Sequence, residues 1–128
     1  MRLLLDTHVL LWALIEPSRL TPAVQALLEE PEHEVLFSAA SIWEIAINYA
    51  LGRADFQVLP DAIVEAALNS GFAELPIRSA AALKVAQLPH LHRDPFDRLL
   101  IAQAMTEPAA FYTSDDTLQA YSELVVRV

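Results

Sequence analysis

The chain has 128 residues, a length that suits one domain with its own core, and we expect a single domain over residues 1–128. It contains no cysteine, which excludes disulfide bonds and thiolate metal sites and suits a reducing cytoplasm. Its net charge is −9 and it has only one lysine, so a general basic surface for nucleic acid is excluded.

The composition is apolar for a small protein. Hydrophobic residues make up 55% of the chain and the mean hydropathy is +0.34, so we expect a partner to cover some apolar surface in an oligomer or a complex. The apolar run near the amino terminus, Val9–Ile15, has seven residues, whereas about 20 are needed to cross a bilayer. No small-residue cleavage site follows it, so we predict a soluble, cytoplasmic protein without a membrane segment.

Five short apolar segments are predicted to be strands. The first of them, Arg2–Leu5, ends in a continuous apolar run rather than an alternating one, as expected of a strand covered on both faces. The predicted strands are Arg2–Leu5, Val35–Ser38, Phe72–Leu75, Phe111–Thr113 and Leu124–Val128.

Helical patterning separates nearly every pair of these strands, and prolines fall between the segments or in their first turns. The predicted helices are Thr7–Leu14, Thr21–Glu30, Ala39–Leu51, Pro60–Asn69, Ser79–Gln87 and Pro95–Met105, with a short one near Thr117–Tyr121. This order predicts an α/β fold, a three-layer α/β/α domain around a central, mainly parallel five-stranded sheet.

Four acidic residues are predicted to meet at one edge of that sheet. Asp6 and Asp115 follow strands, Asp97 begins a helix, and Glu44 lies two turns into the helix after the second strand. Ligands of such sheets bind outside the carboxyl ends of the strands, at the switch point in strand order. Because clustered carboxylates repel one another unless a cation lies between them, the pattern predicts a site for a hard divalent metal.

Each acid also has a local structural interpretation as a helix cap. Asp6 suits the N-cap of the first helix, and Glu44 stands three residues after Ser41, which is the spacing of a capping box. Asp97 would be an N3 acid after an Asp94 cap, and either Asp115 or Asp116 would begin the last short helix. Glu44 favours the metal site most strongly, because its neighbours are apolar and an isolated buried acid is costly.

The segments that carry these acids resemble the successive motifs of PIN-domain proteins, and most closely those of VapC toxins from bacterial toxin–antitoxin pairs. The segments are Leu4–His8, Ser41–Ile45, Arg93–Ala104 and Tyr112–Asp115. The resemblance implies a PIN-like fold and a metal-dependent endoribonuclease that leaves a 5′-phosphate and a 3′-hydroxyl. It also implies a toxin that pairs with itself and is held inactive by a cognate VapB-type antitoxin.

The same resemblance implies that Asp6, Glu44, Asp97 and Asp115 are the catalytic, metal-binding quartet. Mg²⁺ prefers oxygen ligands and usually takes one or two protein carboxylates directly, and Mn²⁺ is expected to substitute for it. We expect Asp6 and Asp97 to be the direct ligands, while Glu44 and Asp115 bind a second ion or orient water molecules. The substrate is expected to be RNA.

Further side chains near the acids are candidates for contacts with substrate or water. Thr7, Thr113 and Ser114 have the hydroxyl groups for such contacts, although capping and turn roles fit them equally well. Arg98 is a candidate for a phosphate contact, against a salt bridge to Asp94 or plain solvent exposure, and Arg93 is a weaker candidate for the same contact.

The histidines are predicted to have structural roles. His90 and His92 lack the third partner of a structural zinc site, and His8 is expected to pack against its surroundings. The predicted helix Ala39–Leu51 is apolar almost all round, which favours a core helix or, alternatively, one side of a groove for an antitoxin segment.

Two other functional classes remain open. A phospho-acceptor signalling domain also clusters acids at strand ends, but it needs a lysine after a late strand, and Lys84 lies within a predicted helix instead. A catalytically silent PIN-fold binding module is the second alternative, and the complete acidic quartet argues against it.

Overall fold

The computed structural model describes residues 1–128, and its core is a five-stranded sheet in the order β3-β2-β1-β4-β5. Every neighbouring pair of strands is parallel, so the predicted fold class is confirmed and the sheet is entirely rather than mainly parallel. The strands are β1 (Arg2–Leu5), β2 (Glu34–Ser38), β3 (Ala73–Leu75), β4 (Ala110–Thr113) and β5 (Val125–Arg127).

Six α-helices connect and cover the strands. They are α1 (Thr7–Ile15), α2 (Pro22–Glu29), α3 (Ala39–Ala50), α4 (Pro60–Asn69), α5 (Ser79–Val85) and α6 (Pro95–Thr106). Three short 3₁₀-helices span Pro17–Arg19, Ala54–Phe56 and Asp116–Tyr121, the last of which replaces the short helix predicted near Thr117–Tyr121. None of the helices has the length and apolar content that a membrane crossing requires.

The side chains of β1 alternate between two apolar cores, one on each face of the sheet. Leu3 and Leu5 pack into the core that includes residues of α1 and α4, and Leu4 packs into the core that includes residues of α6. All three leucines are fully buried. The strand is therefore covered on both faces, as its uninterrupted apolar sequence predicts.

Helix α3 differs from the expectation of a helix buried on several sides. Ile45 is fully buried, but the side chains of Trp43 and Tyr49 are 55% and 42% exposed. The ring of Trp43 meets the ring of Phe96 edge to face, with their centroids 5.2 Å apart. The apolar sequence of α3 thus serves a core on the Ile45 side and leaves Trp43, on the opposite side, partly open to solvent beside Phe96.

The order of the strands puts the switch point of the sheet between β1 and β4. The chain runs outward from β1 to β2 and β3, then returns to place β4 on the other side of β1. Asp6 follows β1 directly, and Ser114 and Asp115 follow β4. The carboxyl ends of these two central strands are therefore the expected position of a ligand site.

Candidate metal centre

A polar pocket of about 580 Å³ opens at this switch point, and none of its eleven lining residues is hydrophobic. The four predicted acids all line it, together with Asp94 and Asp116. The structure therefore brings the predicted quartet together from four separate elements.

Asp6 is the most deeply buried of these acids, with 5% of its surface exposed. One carboxylate oxygen accepts the backbone N–H of Val9 at 2.7 Å, so Asp6 does cap α1, and the other accepts the hydroxyl of Thr113 at 2.5 Å. Burial nevertheless raises the pKa of Asp6 above its ordinary value, by more than these hydrogen bonds lower it. Asp6 is thus both a helix cap and a candidate metal ligand.

Glu44 points from α3 toward α1. Its carboxylate accepts the hydroxyl of Thr7 at 2.6 Å, whereas Ser38 rather than Ser41 caps α3, so the capping-box interpretation of Glu44 is wrong. Burial raises the pKa of Glu44, and the negative charges of Asp94 and Asp6 raise it further.

Asp97 lies in the first turn of α6, which Asp94 caps through its hydrogen bonds from the backbone N–H groups of Phe96 and Asp97. Burial and four neighbouring carboxylates together raise the pKa of Asp97 to about 8. These neighbours are Asp94, Asp6, Glu44 and Asp115.

Asp115 is the most exposed member of the quartet. One carboxylate oxygen accepts the hydroxyl and the backbone N–H of Thr117, at 2.7 and 2.9 Å, and therefore caps the last 3₁₀-helix. Hydrogen bonding, chiefly from the Thr117 hydroxyl, lowers the pKa of Asp115 below its ordinary value. The quartet therefore combines one carboxyl that ionises easily with three that resist ionisation.

The donor set fits a hard divalent cation. No lysine or arginine forms an ion pair with Asp6, Glu44, Asp97 or Asp115, and His92 is the only basic side chain within ion-pair distance of any of them. Carboxylate oxygens are the ligands that Mg²⁺ and Mn²⁺ favour. The raised pKa of Asp97 shows that, without such a cation, this group takes a proton at neutral pH.

Comparison with known proteins agrees with this geometry, because the family model of the PIN domain matches residues 3–124. The chain belongs to the PIN-domain family. PIN domains are typically nucleases and generally use divalent metals.

The fold of this PIN domain is similar to a chain of VapBC2 from Rickettsia felis, solved bound to a DNA fragment from the promoter of the pair. The TM-score is 0.74 at 13% identity, and the match covers 100% of this chain and 98% of the other. At that identity the likeness shows the fold. No curated protein matches the chain.

His92 is a pocket residue whose place the sequence did not indicate. Its ring atom Nε2 lies 3.1 Å from Asp115 Oδ2 and 3.7 Å from Asp97 Oδ2. One candidate ligand atom each from His92, Asp97 and Asp115 lies within 4.8 Å of the others, which suggests a mixed imidazole and carboxylate metal site.

A backbone hydrogen bond gives His92 a different role. The N–H of Asp94 donates to His92 Nδ1 at 3.1 Å, so Nδ1 carries no proton in this arrangement and the neutral ring carries its proton on Nε2. That N–H therefore points at the carboxylate of Asp115. A metal bound at Nε2 would move the ring proton to Nδ1. The Nδ1–H would then face the N–H of Asp94, donor against donor, which argues for carboxylate ligands alone.

Arg98 corrects the prediction of a phosphate contact. It is 8% exposed and does not line the pocket, and its guanidinium donates to the carbonyls of Pro89 and Val85 and to the hydroxyl of Tyr121, at 2.9, 3.2 and 3.1 Å. It forms no salt bridge to Asp94 either. Arg98 instead holds the loop between α5 and α6, the same loop that carries His92.

The other candidates for contacts with substrate or water, and His8, lie at or beside the pocket. Thr7, Thr113 and Ser114 line or border the pocket, and the first two are engaged in hydrogen bonds to Glu44 and Asp6. His8 was expected to pack, but its side chain is 47% exposed at the rim of the pocket.

Proposed function

We propose that this PIN domain, spanning residues 1–128, is a Mg²⁺-dependent endoribonuclease of the VapC type that acts in the cytoplasm as the toxin of a toxin–antitoxin pair. A cognate VapB-type antitoxin would neutralise it. Membership of a family of nucleases and the likeness in fold to a VapBC2 chain support this proposal. The acidic pocket supports the metal dependence.

Asp6 and Asp97 would hold the ion directly, since both line the pocket at the switch point and their carboxyls resist ionisation without it. Glu44 and Asp115 would orient water molecules or help to hold a second ion. When bound, a divalent cation supplies Lewis-acid activation of water and offsets the charge of the phosphodiester. Mn²⁺ would substitute for Mg²⁺ because both accept carboxylate ligands.

The other pocket side chains would prepare the carboxylates for that role. Thr7 holds Glu44, and Thr113 holds Asp6, so each hydroxyl fixes the orientation of one carboxylate. Fixed orientations matter because Mg²⁺ demands a regular octahedral arrangement of its ligands. The hydroxyl of Ser114, at the edge of the pocket, would contact a water molecule or the phosphate of the RNA.

The crowding of carboxylates around Asp97 is the observation that carries the proposal. A carboxyl with a pKa of about 8, surrounded by four other carboxylates, costs stability unless a cation binds there. Groups whose pKa is strongly perturbed by burial and by neighbouring charges concentrate at functional sites.

The cleavage test uses purified protein with total cellular RNA and Mg²⁺. We expect cleavage that EDTA stops, that Mn²⁺ restores, and that the Asp97→Asn variant lacks. The matched control is Glu65→Gln, which removes one negative charge from the exposed face of α4, far along the chain from the pocket acids. Intact RNA after incubation of the wild type with either metal would refute the nuclease.

The toxin role is tested by inducible expression of the wild type beside Asp6→Ala. Growth arrest with degraded RNA only in the wild type is the expected result, and equal growth of both strains contradicts it.

Self-association is proposed because several large apolar side chains are exposed, and ultracentrifugation measures it. A silent binding module is the alternative, and calorimetry that detects no Mg²⁺ or Mn²⁺ binding would favour it.

A further inference from the structure

A second cleft, of about 480 Å³, lies beside the acidic pocket and shares three lining residues with it. The shared residues are His8, Glu44 and Asp94. The cleft is thus continuous with the pocket on the side where the end of α3 faces the start of α6. Two arginines, Arg53 and Arg93, also line it, as does Asp55, whose carboxylate lies 3.8 Å from His8 Nε2.

These two arginines are unusual among the eight lysines and arginines of this protein. Three of the others form ion pairs with carboxylates, namely Arg2, Arg19 and Arg127, and Arg98 is buried among carbonyl groups. Arg53 and Arg93 are exposed and form no ion pair. The other two cations without an ion pair, Arg78 and Lys84, line neither the cleft nor the pocket.

Both arginines are placed by the ends of helices. Gly52 adopts a φ of 71°, which reverses the chain after α3, and the N–H of Arg53 then donates to the carbonyl of Asn48 at 3.1 Å. Arg93 immediately precedes Asp94, the N-cap of α6. The backbone therefore fixes the point on the surface from which each arginine side chain projects.

No arginine or lysine lines the acidic pocket itself. Asp116 lines the pocket and forms an ion pair with Arg127, so Arg127 is already engaged. Arg53 and Arg93 are the only arginines or lysines that line the pocket or the cleft, and neither forms an ion pair, so an anionic chain meets unpaired positive charge in the cleft. Because the protein has a net charge of −9, such local cations are needed to attract a polyanion.

We infer that the cleft lined by Arg53 and Arg93 binds backbone phosphates of single-stranded RNA next to the scissile bond. The strand then runs from the acidic pocket into this cleft. This inference rests on the proposed nuclease function. Guanidinium groups bind phosphate oxygens in pairs of parallel hydrogen bonds, and a cleft open to solvent admits a flexible single strand. The contacts are to phosphate, so they carry no base preference.

The test measures binding of a fluorescein-labelled oligouridylate of about 12 nucleotides, a length within the usual site sizes for single strands, by anisotropy. It uses the Asp97→Asn background with Mg²⁺, where bound RNA stays intact. The double substitution Arg53→Ala and Arg93→Ala is expected to weaken binding by about tenfold at low salt. The logarithm of affinity decreases with the logarithm of salt concentration. The steepness of this decrease should be smaller by about 0.7 for each phosphate that an arginine no longer neutralises, or about 1.4 in all. Arg78→Ala is the matched control, and its affinity and slope should equal those of the background.

Two results would overturn the inference. One is an oligouridylate that does not bind the Asp97→Asn protein at all. The other is an unchanged affinity and salt slope in the double variant, which would leave these arginines to a protein partner such as an acidic peptide segment.

Cleavage kinetics separate this inference from the proposed function. In the wild-type background, the double variant is expected to raise KM for RNA by about tenfold while kcat changes little, because phosphate contacts away from the reacting bond supply binding. A wild type that binds oligouridylate through these arginines but never cleaves RNA refutes the nuclease and leaves the binding cleft standing. A nuclease with an unchanged KM in the double variant refutes the cleft alone.

Discussion

Thr113 donates its hydroxyl hydrogen to the Asp6 carboxylate at 2.5 Å and so joins the carboxyl ends of β4 and β1, which lie 107 residues apart in the chain. The same hydroxyl accepts the backbone N–H of Asp115 at 3.1 Å. A single threonine therefore sets the relative positions of two proposed metal ligands. Its backbone is fixed in turn by the pairing of β4 with β1.

We predict that Thr113→Val weakens Mg²⁺ binding by about 10- to 100-fold, the usual effect of losing a partner that orients a metal ligand. The substitution removes a hydrogen bond that lowers the pKa of Asp6, so that pKa should rise further. Isothermal titration calorimetry measures the affinity. Thr113→Ser keeps the hydroxyl and is expected to restore binding, and equal affinities in the two variants would contradict the role of this hydrogen bond.

The raised pKa of Asp97 predicts that the metal-free protein loses stability as pH rises. The folded carboxyl has a pKa of about 8 and the ordinary value is 3.8, so between these values the folded state binds more protons than the unfolded state. This contribution to stability is fully present below the ordinary pKa and is lost as pH rises through the folded value of about 8. Burial of Asp6 and Glu44 acts in the same direction.

Thermal melts in EDTA at about pH 6 and about pH 8.5, on either side of the folded pKa, measure this loss, and Mg²⁺ should stabilise the protein more at the higher pH. We predict that Asp97→Asn melts higher than the wild type at the higher pH without metal and gains little from Mg²⁺, with a shift of roughly 3–5 °C per kcal/mol. Glu65→Gln should show neither effect. A lower melting temperature for Asp97→Asn at that pH would mean that the carboxylates do not destabilise one another.

The ring orientation of His92 predicts that it positions Asp115 rather than binding metal. His92→Ala removes the Nε2–H donor, so the pKa of Asp115 should rise and Mg²⁺ affinity should fall by about tenfold. His92→Gln keeps an N–H donor of similar reach and should recover part of that affinity. The nitrogen chemical shifts of the His92 ring should show the tautomer with its proton on Nε2.

Zinc provides the contrast for this prediction. An imidazole ligand favours Zn²⁺ over Mg²⁺ far more than carboxylates do. If His92 only positions Asp115, His92→Ala should lower the affinities for both metals by similar factors. A much larger loss of Zn²⁺ binding would identify the ring as a metal ligand.

Arg98 is predicted to stabilise the loop before α6. Arg98→Met leaves the carbonyls of Val85 and Pro89 without a donor, and we expect a decrease of about 3 kcal/mol in the free energy of unfolding. Urea melts measure the decrease, and the salt slope of RNA binding should stay unchanged. Wild-type stability combined with a reduced salt slope would instead favour the phosphate contact that the sequence suggested.

The fold could be predicted from local sequence patterns, since strands, helices and caps depend on neighbouring residues. The continuous apolar run that ends Arg2–Leu5 predicts a strand buried on both faces, and Asp6 and Asp94 predict the starts of two helices. Parallel strands place their carboxyl ends together, so the meeting of four acids at one edge also followed from the order of the elements.

Only the tertiary structure decided the roles of His92, Arg98 and α3. The loop that carries His92 has no periodic pattern, and its shape depends on hydrogen bonds from Arg98 and to Tyr121 that no local rule predicts. The exposed Trp43 side of α3 is apolar in sequence like its buried Ile45 side, and only the packing of neighbouring helices distinguishes them. Short-range chemistry thus determined the elements and the acidic edge, whereas contacts between distant segments determined which side chains reach the pocket.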